Sequence, residues 1–180
     1  MKWLVRSAAL LAALLLSACA STTHGPAALT GDSLAGRLAI RIDAHEGAPT
    51  RSENAGFELL GGARAGRLNL STPLGSVIAQ ARWAPGSVVL ATPQGEREFA
   101  DLDALTREVL GESVPVAALF DWLRGRPWDG AASVPTAPPA EAGFVQLGWA
   151  VDLARFGDGW VVARREGLPA VTVRARLDKP

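Results

Sequence analysis

The chain has 180 residues and a formal net charge of zero, from 18 lysines and arginines against 18 aspartates and glutamates; 48% of it is apolar. That length suits one domain with a real core rather than two, and the charge balance argues against a nucleic-acid binder, which needs a basic surface to release counterions from phosphate. The single cysteine excludes an internal disulfide framework and a cysteine-cluster metal site; the two histidines, His24 and His45, lie early in the chain and make a histidine metal centre or a Ser-His-Asp triad a poor reading.

The first 18 residues read as an address rather than as part of a fold. Lys2 and Arg6 form a basic start, and residues 8–16 are an unbroken apolar run of nine. Such a run is too short to span a bilayer, which takes about 20 residues, and it fits the core of an export signal. Leu16-Ser17-Ala18-Cys19 follows directly. This tetrapeptide resembles the bacterial lipobox, in which the chain is cut before the cysteine, the thiol takes a diacylglycerol and the new amine is acylated. The alternative is an ordinary secretory signal that happens to contain a cysteine. Cleavage at that point leaves 16 basic and 18 acidic residues. Ala20 is not the aspartate that commonly retains lipoproteins at the inner membrane, so the resemblance implies the outer membrane. Residues 19–33 read as a lipidated tether, small, polar and interrupted by Gly25 and Pro26, and residues 34–180 as one domain.

In that domain, residues 34–43 alternate, with Leu38, Ile40 and Ile42 on one side and Arg37, Ala39 and Arg41 on the other. Residues 45–52 read as a connection. Residues 55–60 form a strand with Phe57 and Leu59 on one face, and 61–66 a turn. Residues 67–71 are a strand with Leu68 and Leu70 in phase. Thr72-Pro73-Leu74-Gly75 is a tight connection, since proline presets φ and glycine accepts a positive one. Further strands are expected over 76–83, 87–91 and 96–100. The period then changes. Asp101 is a candidate N-cap for a helix over 102–110, with Leu102, Leu105 and Val109 on one face and Gly111 beyond its end. Pro115 opens a second helix carrying Val116, Leu119, Trp122 and Leu123, closed by Gly125. Residues 129–143, rich in alanine and proline, are expected to be irregular. The run 144–156 returns to strand, and 160–164 and 170–177 complete the pattern. Its fold class is mainly β with helices (α+β): a curved antiparallel sheet of nine or more strands whose apolar concave face needs a cover, for which the two helices are the natural lid.

Catalytic constellations are scarce. Glu96 and Glu98 share a strand face, so paired acid–base work is conceivable, but a solvated edge before a helix cap explains them more simply. Gly61-Gly62 lacks the further glycines and the helix of a phosphate cradle. No nucleophile sits beside a credible base, and no catalytic residue is assigned.

The order of segments carries a family resemblance. A lipobox is followed by Leu34-Ala35-Gly36-Arg37-Leu38-Ala39-Ile40 and then by Leu68-Asn69-Leu70-Ser71-Thr72-Pro73-Leu74-Gly75. Pro115-Val116 and Trp122-Leu123-Arg124-Gly125-Arg126-Pro127 come next, and Gln146-Leu147-Gly148-Trp149-Ala150-Val151 and Gly167-Leu168-Pro169 close the series. Together they resemble the LolB family of outer-membrane lipoprotein receptors. The resemblance implies an unclosed antiparallel β-barrel covering a hydrophobic cavity, lidded by short helices. It implies a monomer, lipid-anchored on the periplasmic face of the outer membrane, that accepts lipoproteins from the periplasmic carrier LolA by their acyl chains and inserts them into outer-membrane lipid. No cofactor, metal or nucleic acid is implied beyond the N-acyl and S-diacylglycerol groups on Cys19. Leu38, Ile40, Phe57, Leu68, Leu119, Trp122, Leu123 and Trp149 become candidates for the cavity and lid. Pro73, Leu74 and Gly75 become a membrane-insertion loop, against the plainer alternative of a leucine folded back on its own sheet. Arg37, Arg41, Arg174 and Arg176 are candidates to meet an acidic partner. The competing function is a structural outer-membrane lipoprotein, a protein-interaction module with a packed core. An empty apolar pocket opening near the helices is the expected mark of the receptor.

Overall fold

The computed structural model describes residues 33–178. They build one antiparallel sheet of eleven strands: β1 (Leu34–Ile42), β2 (Arg51–Gly61), β3 (Gly66–Ser71), β4 (Val77–Ala84), β5 (Ser87–Thr92), β6 (Gly95–Phe99), β7 (Ser133–Pro135), β8 (Gly143–Gln146), β9 (Trp149–Asp152), β10 (Trp160–Arg165) and β11 (Val171–Leu177). Their spatial order is β6-β5-β4-β3-β2-β1-β11-β10-β9-β8-β7. Two meanders therefore meet where the first strand pairs with the last, and β6 and β7 remain as edges, so the sheet does not close. Two helices, α1 (Leu102–Leu110) and α2 (Val116–Trp122), form the crossover between the halves.

Alternation sends one set of side chains inward. Ile42, Phe57, Leu59, Trp83, Leu90, Trp149, Val161, Val171 and Val173 are all buried, and they lie opposite one another in register: Ile42 faces Val171 and Ile40 faces Val173 across β1 and β11. α1 begins where expected. The Asp101 carboxylate accepts from the Ala104 N–H at 2.6 Å, and Gly111 ends the helix at φ 79°. Arg51 at the start of β2 donates to the Leu110 carbonyl, and Arg165 of β10 reaches Ser113 and Glu112. The helical pair is thus tied across the concave face to strands on both sides of it.

Four local expectations need correction. β2 begins at Arg51, four residues before the apolar alternation, because its polar start pairs with the second half of β1. The run 144–156 is not continuous strand. It folds into the hairpin β8–β9 around Leu147 and Gly148, both at positive φ, and ends in a 3-10 turn at Phe156–Asp158. The 129–143 segment is not wholly irregular, since β7 pairs with β8 inside it; three residues are too few to show a period, and Pro135 is tolerated on an edge. In the helices, Val109 is 50% exposed while Thr106 is buried, because the Thr106 hydroxyl accepts the Val114 N–H and turns that side inward. Phe120, off the expected stripe of α2, is 2% exposed. α2 is covered on more than one side, which a single apolar stripe does not anticipate.

Gly66 is among the glycines fixed by packing. A Cβ on Gly66 would sit 2.5 Å from the Trp83 ring and 2.8 Å from the Leu60 carbonyl oxygen, while the Trp83 indole N–H donates to the Gly62 carbonyl. Gly66→Ala has to displace that ring or the strand, an overpacking cost of about 1–3 kcal/mol. We expect its melting temperature to fall by about 5 °C; an unchanged melt would mean the Trp83 site yields freely.

Candidate functional site

Cys19 lies outside the described residues. The remaining candidates fall into three groups.

The first group is the sealed part of the interior. Phe57, Trp122, Leu123 and Trp149 are all buried, with Trp122 at 0% exposure. Trp122 meets Phe144 edge-on at 6.4 Å between centroids and Trp149 tilted at 6.1 Å, and Phe120 meets Trp83 edge-on at 5.5 Å. Aromatic side chains of the lid thus pack directly against those of the sheet. The second group is only half-buried. Leu38, Ile40, Leu68 and Leu119 pack against the core without being sealed, as do Leu70 and Ala79. Leu70 pairs with Phe57 on one side and Ala79 on the other, and Leu68 with Leu59 and Ala81. The result is an apolar strip on the inner face of β1–β4, and it runs to the base of the β3–β4 connection.

That connection is the third group. Pro73, Leu74 and Gly75 are exposed, and Leu74 is 95% exposed, so it is not folded back on the sheet. A turn holds it out: the Gly75 N–H donates to the Thr72 carbonyl at 2.9 Å, the Ser76 N–H reaches the Thr72 hydroxyl at 3.2 Å, and Gly75 has φ 88°. A leucine in that position costs hydrophobic free energy in water and recovers it in lipid. In an antiparallel meander alternate hairpins share one end, so Leu74, Leu147 of β8–β9 and Leu168 of β10–β11 project from the same end of the sheet. Leu168 is 83% and Leu147 45% exposed. The chain enters β1 at the other end.

Sequence reasoning missed Gln146. It is 1% exposed, and its side-chain amide is fully used. The oxygen accepts from the Trp122 indole N–H at 2.7 Å and the Trp128 backbone N–H at 2.9 Å; the nitrogen donates to the carbonyls of Trp128 and Ala131, both at 2.7 Å. One amide therefore clasps α2 and the following loop to β8. The signal was present as a lone polar residue on the inward side of an apolar strand, but its partners are far apart in sequence.

Glu96 pairs with Arg82 at 2.6 Å, both exposed, in keeping with a solvated strand edge. Among the described residues no group of three or more His, Cys, Asp or Glu is placed to hold a metal ion, and no helix is long and apolar enough to cross a membrane. Of the four candidate docking arginines, Arg41 is held by Asp43 at 2.8 Å.

Comparison with known proteins agrees with this architecture. The family model described as outer membrane lipoprotein LolB matches residues 33–174. The chain is similar to proteins named outer-membrane lipoprotein LolB from several bacteria. It is 35% identical to that of Bordetella petrii over 176 residues, covering 92% of this chain and 88% of the relative. It is 35% identical to that of Bordetella pertussis over 189 residues, covering 99% and 94%. The similarity to that of Cupriavidus necator is 31% over 185 residues, covering 93% and 91%.

Proposed function

The chain belongs to the LolB family of outer-membrane lipoproteins, and on that membership we propose that it receives lipoproteins from the periplasmic carrier LolA by their acyl chains and delivers them into outer-membrane lipid. The observation that carries the reading is the pairing of a half-buried apolar strip with a fully exposed leucine at the end of that strip. Acyl chains crossing water lose about 0.8 kcal/mol per exposed methylene, so a receptor has to offer apolar surface without interruption from capture to release. Leu38, Ile40, Leu68, Leu70 and Leu119 supply it inside, and Leu74 supplies the point of contact with lipid. No energy source is needed if each step binds the chains more tightly than the last, the bilayer being the final sink.

The packing of the lid's rings against the sheet sets the mechanism. With Phe120 and Trp122 seated against Trp83 and Trp149, an acyl chain enters by displacing the lid from the sheet. The same packing favours a second reading, an interaction module with a permanently packed core. The two differ in one measurement. Mixing the protein with LolA loaded with a radiolabelled lipoprotein should move the label to this protein in near-equal amounts and quench or shift its tryptophan fluorescence. Label that stays on the carrier, with unchanged fluorescence, leaves the packed-core reading.

The anchor has a separate role. Cys19 lies 15 residues before Leu34, a reach of up to about 50 Å, whereas β1 is nine residues, about 30 Å long. An acylated Cys19 and the far-end Leu74 are therefore able to engage one bilayer. Cys19→Ala, secreted through an ordinary export signal, should lose outer-membrane targeting and keep acyl capture within about twofold, because a single surface anchor contributes to membrane affinity and not to the cavity. Loss of capture by a folded Cys19→Ala chain would contradict this division.

A further inference from the structure

The outer face of the sheet holds a groove of about 900 Å³, on the side away from the lid, with Arg37, Arg174, Arg176 and Trp160 among its walls and Pro73 and Gly75 of the exposed loop at its margin. Its floor follows one cross-strand row. Ser71 pairs with Gly56, Gly56 with Arg37, Arg37 with Arg176, and Arg176 with Trp160. Arg174 stands one row further on, opposite Ala39. Gly56 keeps the row low between the loop and the arginines, since a Cβ there would meet the Ser71 hydroxyl at 2.7 Å.

The charges in this groove are unusual. Arg37 and Arg176 face each other directly on adjacent strands, an arrangement that is destabilising for like charges. Neighbouring arginines on the same face are neutralised: Arg41 by Asp43 and Arg164 by Glu166, whose hydrogen bond and charge raise the Arg164 pKa further. Among the described residues Arg37, Arg174 and Arg176 have no carboxylate within ion-pair distance. Two carboxylates do line the groove, Glu58 and Asp178. Glu58 is opposite Ala35, one row towards the chain's entry, and its oxygen is taken by the Asn69 amide at 2.8 Å. The arginines therefore occupy the part of the groove level with the loop. Trp160 lies between Arg155 and Arg176, each 5.7 Å from its ring, a half-buried indole of the kind that favours the headgroup level of a bilayer.

From this geometry we infer that the groove binds the phosphate of an anionic phospholipid headgroup, whose charge no ammonium neutralises, and so fixes the protein's orientation while Leu74 is in the acyl region. Guanidinium forks match phosphate oxygens two at a time, and an anionic leaflet attracts cations held close to its surface. The margin made by Pro73 and Gly75 favours lipid over an acidic protein, because whatever fills the groove lies beside the side chain that meets the bilayer. The inference rests on the membrane-facing reading of Leu74, and the experiment separates the two.

The test is flotation of the secreted Cys19→Ala chain with vesicles of phosphatidylcholine, with and without 30 mol% phosphatidylglycerol. The parent should bind the anionic vesicles about tenfold more tightly, and 0.5 M salt should remove most of that preference by screening. The triple variant Arg37→Gln, Arg174→Gln, Arg176→Gln should lose the preference while melting normally, and the corresponding lysine triple should keep most of it. Leu74→Gln, which changes no charge, should weaken binding to both vesicles alike and leave the preference. A glutamine triple that retains the full anionic preference overturns the inference. One that retains it but no longer cross-links to LolA overturns it in favour of an acidic protein partner. If Leu74→Gln binds both vesicles like the parent, the loop reading fails while the groove's preference for anionic lipid still stands on its own measurement.

Discussion

Gln146→Leu is expected to lower the free energy of unfolding by about 3–5 kcal/mol, the largest single-residue effect on stability that we anticipate. The substitution keeps the volume of the side chain and removes all four of its hydrogen bonds. It leaves the Trp122 indole N–H, the Trp128 N–H and two carbonyls without their partner in a region that is 1% exposed at its centre. Each orphaned buried group costs about 1–3 kcal/mol, and partial rearrangement keeps the total below the simple sum. Trp122→Phe should cost less, because it orphans only one of the acceptor's two bonds. A double-mutant cycle between the two positions in chemical denaturation should then show a coupling of about 1 kcal/mol or more. A Gln146→Leu midpoint close to the parent's would show that the clasp is replaceable by water. The clasp also bears on function. It is the polar fastening of the lid, so the variant should capture acyl chains at lower lid-opening cost even as its overall stability falls.

Leu74→Glu should reduce delivery of captured lipoprotein to vesicles by tenfold or more, with capture from LolA changed by less than about twofold. Withdrawing a leucine from lipid forfeits up to about 1.5–3 kcal/mol, and each 1.4 kcal/mol is a factor of ten; a carboxylate adds its own resistance to leaving water. Because Leu74 is 95% exposed and outside the core, the variant should melt within about 0.5 kcal/mol of the parent. The assay separates capture, read as label on the receptor, from delivery, read as label floating with vesicles. Normal delivery by a folded Leu74→Glu protein would remove the loop from the mechanism. Leu168→Glu, at the same end of the sheet, provides an internal comparison: an equal defect would mean that the end as a whole, and not this loop, meets the bilayer.

The sequence was most legible where a short-range rule acts alone. Period-two alternation located β1, β3 and β11 to within a residue or so, Asp101 and Gly111 bounded α1, and Pro73 with Gly75 marked a turn; that its leucine points into water came from the family resemblance and the structure. The order of these pieces carried the family. Readings that depend on neighbours distant along the chain came out less well. The β8–β9 hairpin was hidden in a continuous apolar run, because residues buried on both sides of a turn look alike in composition. Phe120 was left off the expected stripe because α2 meets both halves of the sheet, Phe120 against Trp83 and Trp122 against Phe144 and Trp149. The contacts of the lid's aromatic rings with Trp83, Phe144 and Trp149 join distant segments, which no spacing rule describes.

What the sequence determined by itself is therefore local: which segments extend, which coil and where the chain turns. These follow from backbone sterics and from the alternation of apolar and polar residues, and both act within a few residues. Only the tertiary structure decided that Gln146 fastens Trp122, that half of the apolar inner face is sealed and half is not, and that Arg37 stands against Arg176 beside the exposed loop. Each of those joins residues separated by 24 to 139 positions in the chain, and their meeting is set by strand order and register, which the closing of β1 against β11 fixes only when the whole sheet has formed.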